Sequence, residues 1–102
     1  MKIIFPNVKE SALFLMRKAG YGFERKDGKT GEEAFGRRIR GSEYPKFHVY
    51  AKKDGDTLIV NLHLDQKKPV YEGVNAHSGE YEGEVIEQEA KRIKMAINKF
   101  QI

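Results

Sequence analysis

The residues of this 102-residue chain best suited to move a proton near neutral pH are its three histidines, His48, His63 and His77. Asp65 follows His63 by two positions, so on a strand both side chains leave the same face, about 7 Å apart at the backbone. With His77 arriving from a distant segment, and Glu80 or His48 as a further ligand, this set could hold a divalent metal such as Zn²⁺ or Mn²⁺ for hydrolysis. A second chemistry uses His48 and His63 as general base and general acid of a nuclease. Arg38, Arg40, Lys46 and Lys52 would then neutralise phosphates while Tyr50 or Tyr44 stacks on a base. The ordinary alternative is a solvated sheet face whose histidines make everyday hydrogen bonds.

Several chemistries are not encoded. The chain has no cysteine, which excludes disulfides and thiolate metal sites and fits a reducing compartment. Gly28-Lys29-Thr30 lacks the spacing of a phosphate-binding loop and its strand-to-helix setting, so 27–31 reads as a mobile basic loop. No dinucleotide fingerprint or serine–histidine–aspartate arrangement can be assembled. With 39% hydrophobic and 33% charged residues, no long apolar tract and no N-terminal signal pattern, the expectation is one soluble cytoplasmic domain over 1–102, with no membrane partner. Residues 1–53 carry 13 Lys and Arg against 6 Asp and Glu, and residues 54–102 carry 6 against 9. The basic half favours a polyanion such as RNA, or an acidic protein.

The element that must position His48 and His63 is Phe47 to Gln66, two β-prone arms around Asp54-Gly55. That dipeptide accepts the positive φ values of a type I′ turn. A loop of those two residues predicts that Lys53 faces Asp56, Ala51 faces Leu58, Val49 faces Val60 and Phe47 faces Leu62, all inward beyond the first pair. His48 would face Asn61 and Lys46 would face His63 on the other side.

Upstream, Ile3–Phe5 is a candidate edge strand ended by Pro6, and Asn7 with Glu10 resembles a capping box for a helix over 8–19 stopped by Gly20. Tyr21–Lys26 reads as a short strand or an extended entry. Ala34–Gly41 reads as a strand with Phe35 and Ile39 inward and Arg38 and Arg40 outward, its alternation broken by Arg37. Gly41–Pro45 is a turn, and 66–83 a long loop laid near the outer sheet face. Glu84–Phe100 has the strongest helical period, with Ile86, Ala90, Ile93, Ile97 and Phe100 on one stripe. Its early Glu84, Glu87 and Glu89 suit the helix dipole. Two single-striped helices and an alternating sheet predict an α+β, two-layer αβββα domain, an antiparallel three-stranded sheet with two helices packed on one face.

That order resembles double-stranded-RNA-binding domains and the small HicA-type toxins that cleave messenger RNA. Ala19-Gly20-Tyr21-Gly22-Phe23-Glu24-Arg25 is similar to the toxins' entry after the first helix, His48-Val49-Tyr50 to their second strand, and His63 to the end of their third. Gly41-Ser42 is followed by Glu43 where that family has Gly-Ser-His, and the histidine position itself falls on Phe47, so the resemblance implies a ribonuclease role that only His48 could take over. RNA binding on the basic face, with or without histidine-based cleavage, ranks first; metal chemistry at His63, Asp65 and His77 ranks second. A non-catalytic module docking an acidic protein ranks third.

Overall fold

A computed structural model of the chain describes residues 1–39, 45–65 and 78–100, with the backbone alone over 78–82. The element order is β1 (Lys2–Phe5), α1 (Ala12–Lys18), β2 (Gly22–Lys26), β3 (Glu33–Arg38), β4 (Lys46–Asp54), β5 (Thr57–Asp65) and α2 (Ser78–Asn98). The fold is α+β, and its sheet has five antiparallel strands in the order β1-β5-β4-β3-β2. The expected three-stranded αβββα sheet is corrected at both edges. Ile3 and Phe5 alternate inward well enough to pair with Val60 and Leu58, and 22–26 is a full partner of β3.

Strands β2 to β5 form a meander, whereas β1 and β2 lie at opposite edges, so the segment between them carries α1 across the sheet. Ala12, Leu15, Met16 and Ala19 from this segment and Ala90, Ile93 and Ile97 from α2 share one core with Phe35, Phe47, Val49, Ala51, Leu58, Val60 and Leu62. Both helices therefore cover one face of the sheet. Phe100, expected on the buried stripe, lies beyond α2 and is exposed, edge-on to Phe14.

The start of α1 departs from the expected capping box. Asn7 bends into the left-handed region at φ 59°, and the Val8 amide donates to Asp56 rather than opening a helix. Ser11 is the N-cap, its hydroxyl accepting from the Phe14 amide at 3.1 Å. Gly20 does stop the helix. At φ 92° its amide reaches the Arg17 carbonyl and the Tyr21 amide reaches that of Met16, a Schellman motif that drops Tyr21 into the core.

The β4–β5 hairpin keeps the expected faces but shifts the pairing by two residues. Gly55, at φ 63°, is the turn residue with positive φ, and Asp54 pairs with Thr57. Glycine therefore occupies the first loop position, as a type II′ turn requires, and the loop is Gly55-Asp56 rather than Asp54-Gly55. Val49 consequently faces Leu62, Ala51 faces Val60, His48 faces His63 and Lys46 faces Asp65. An even shift preserves which side each residue points to while changing every neighbour across the strands.

The β2–β3 loop, expected as a mobile basic loop, is closed by hydrogen bonds of its own. The Asp27 carboxylate accepts from the amides of Lys29 and Thr30 at 2.8 and 3.2 Å, which hold its carboxyl below the ordinary range, and Gly31 completes the turn at φ 79°. Helix α2 starts at Ser78, so 78–83 is helical and not loop. Arg40, residues 41–44 of the expected turn with Tyr44, residues 66–77 of the expected loop with His77, and the Glu80 side chain lie outside the described residues.

Candidate functional site

The face opposite the helices carries His48, Tyr50 and Lys52 from β4 and Asn61, His63 and Asp65 from β5, the alternates of the buried positions. Because His48 and His63 are direct partners, their rings gather with Tyr50 between them. Tyr50 lies 5.8 Å from His48, nearly parallel, and 5.8 Å from His63, edge-on. The Arg25 guanidinium sits 6.0 Å over the Tyr50 ring. His48, Tyr50, His63, Leu64 and Asp65 line a shallow open depression of about 330 Å³.

His48 is fixed at both ring nitrogens. Nδ1 lies 3.2 Å from Asp65 Oδ2, and Nε2 lies 2.8 Å from Glu24 Oε1. Both contacts are hydrogen bonds only when both nitrogens carry protons, since a neutral ring has a single donor. The second Glu24 oxygen accepts from Lys46 Nζ at 3.0 Å. Desolvation pushes the Glu24 carboxyl up, but the hydrogen bonds and charges of His48 and Lys46 outweigh it, so the group titrates below its ordinary range.

Glu24 reaches His48 through two local irregularities. The register between β2 and β3 slips between Phe23 and Arg25, a bulge that keeps Phe23 against Phe35 while directing Arg25 towards Ala34 and Tyr50 on the open face. On β3, Gly36 stands between Glu24 and His48, and a Cβ there would overlap the Glu24 carboxylate. Glycine in a strand interior here marks a crossing point for a side chain.

No family model, curated protein or solved structure matches this chain. What the site can do follows from its geometry. Of the expected residues, the structure brings together Lys46, His48, Tyr50, His63 and Asp65; Arg38 lies beside Lys46 across β3–β4, and Lys52 lies further along the same face. Of the metal set His63, Asp65 and His77, the first two share this face, with Asp65 turned to His48. Among the described residues, no three His, Asp or Glu side chains are arranged so that they could hold a metal ion. No helix among the described residues is long and apolar enough to cross a membrane.

Glu24 and Glu89 are the two carboxylates that sequence patterning missed. Glu89, which the helix dipole alone was expected to explain, is only 5% exposed. It accepts from Tyr21 Oη at 2.7 Å and from Arg92 Nε and Nη2 at 2.9 and 2.8 Å, with Arg37 Nη1 at 3.5 Å. Arg92 also donates to the Ala19 carbonyl at 2.6 Å, tying α2 to the end of α1. Burial, then the bond to Glu89, pushes the Tyr21 hydroxyl far above its ordinary range. The sequence signal was Arg37: it breaks the polar alternation of β3 because, paired with Phe47, it faces the helices and meets Glu89.

Proposed function

We propose that the chain binds single-stranded RNA on the open face of its sheet. The observation that carries this reading is the His48–Tyr50–His63 ring cluster at the centre of that face, flanked by the exposed cations Arg25, Arg38 and Lys52. Among the described residues, strand alternation places five cations on the face, Lys2, Arg25, Arg38, Lys46 and Lys52, against three carboxylates, Glu24, Asp54 and Asp65, five minus three leaving +2. Two of those carboxylates are engaged by Lys46 and His48. Rings standing among cations suit bases that stack and phosphates that pair, and unstacked bases are offered by single strands. His63 is exposed and the better platform, because His48 and Arg25 already lie against the Tyr50 ring.

The test is fluorescence anisotropy of a labelled single-stranded RNA titrated with the chain over a series of salt concentrations. The affinity is expected to fall linearly on logarithmic axes, with a slope of about −0.7 for each phosphate neutralised. Arg25→Ala and Lys52→Ala should each weaken binding and flatten that slope. Binding absent at low salt, or indifferent to salt, would rule the reading out.

A further inference from the structure

Resting on that reading, we infer that the depression between β4 and β5 cleaves the RNA it binds by internal transphosphorylation, with Asp65 as general base, His63 as general acid and His48 as the residue that positions Asp65. Asp65 and His63 line the same open depression and leave the same strand face two residues apart. Their backbones are therefore about 7 Å apart, enough to flank one phosphate group between its entering and leaving oxygens. The Asp65 carboxylate is 44% exposed and accepts from His48, whose other nitrogen is anchored on Glu24. A carboxylate held in this way is both oriented and open on the solvent side. Lys46, the direct strand partner of Asp65, and Arg38, the partner of Lys46, put two cations on the sheet face beside the depression, which favours the approach of an anionic phosphate.

The step balances without a co-reactant. The ribose 2′-oxygen attacks the adjacent phosphorus as its proton passes to Asp65. The new O2′–P bond forms, the P–O5′ bond breaks, and His63 in its protonated form supplies the proton to the departing 5′-oxygen. The products are a 2′,3′-cyclic phosphate and a 5′-hydroxyl, and exchange with water restores both groups. Because the nucleophile is the substrate's own hydroxyl, the reaction is specific for RNA over DNA.

The experiment incubates the intact chain with a labelled single-stranded RNA in EDTA, identifies the ends formed, and measures binding and melting temperature in parallel. Cleavage to a cyclic phosphate is expected, with an otherwise identical 2′-deoxy oligonucleotide left intact. Asp65→Asn and His63→Gln should each lower kcat by roughly 10²–10⁴-fold, the usual contribution of one acid–base group. Asp65→Asn should still fold and bind RNA, whereas His63→Gln, which also removes a stacking ring, should bind more weakly but lose far more in kcat than in affinity. His48→Gln should lower kcat by a larger factor than it weakens RNA binding, as expected for a residue that acts through Asp65. Binding without cleavage, equal cleavage of the 2′-deoxy strand, or unaltered rates in Asp65→Asn and His63→Gln would overturn the catalytic assignment and leave RNA binding standing. Absence of binding would overturn both.

Discussion

Glu24 on β2 touches His48 on β4 at 2.8 Å although a whole strand lies between them, because the residue of β3 that separates them is Gly36. The contact joins an edge strand to the centre of the sheet on the face away from the helices. It fixes one side of the imidazole while Asp65 of β5 fixes the other, so one ring ties β2 and β5 to β4.

Gly36→Ala should therefore disconnect the site without unfolding the sheet. The new methyl group displaces the Glu24 carboxylate, while the loss of glycine's backbone freedom stabilises the strand, so the net change in stability is expected within about 1 kcal/mol. Nitrogen-15 NMR of the His48 ring checks it: the Nε2 resonance should change and the melting temperature should not fall appreciably.

Glu24 should also leave a signature in acid. Its folded pKa lies below the ordinary value of 4.5, so its contribution to stability is fully present above that value and is lost as pH falls through the lower folded value. Urea unfolding of the native chain and of Glu24→Gln across this range should give curves that are parallel above 4.5 and converge below it. A constant offset at every pH would mean that the two hydrogen bonds do not favour the ionised carboxylate.

The clamp around Glu89 should behave as a structural unit. Glu89→Gln removes the charge that pairs with Arg92 and Arg37. The loss is expected at about 2–4 kcal/mol, somewhat less than for a wholly buried pair, because both arginines keep access to water. Tyr21→Phe, which removes one donor to the same carboxylate, should cost about 1–2 kcal/mol. Denaturant midpoints at unchanged slope would measure both. RNA binding should survive these changes, since the clamp lies on the helix side of the sheet.

Much of this was legible in the sequence, and the misses share a cause. The inward and outward sets of β4 and β5 followed from alternation, and the buried triad Ala90, Ile93 and Ile97 from helical period. The pairing of His48 with His63 did not, because Asp54-Gly55-Asp56 supports two turns that differ only in which loop position glycine fills. Patterning reads single elements, whereas Glu24 and Glu89 owe their roles to partners 24, 68 and 52 positions away. Their visible traces were small: a glycine inside β3 and an arginine out of phase with its strand.

The turn itself offers a check on the register. Gly55→Ala places a Cβ at φ 63° and should cost about 1–2 kcal/mol, whereas Asp56→Gly should be tolerated. Amide hydrogen exchange in the two variants would compare them, with faster exchange over Ala51–Val60 expected in Gly55→Ala alone.

The most direct measurement is a titration of the nitrogen-15-labelled chain with a short single-stranded RNA, followed residue by residue. The shifts should concentrate on Arg25, Arg38, His48, Tyr50, Lys52 and His63, with the α1 and α2 amides on the opposite layer largely unmoved. Shifts confined to the helices, or none at saturating RNA, would contradict the assignment of this face as the RNA-binding surface.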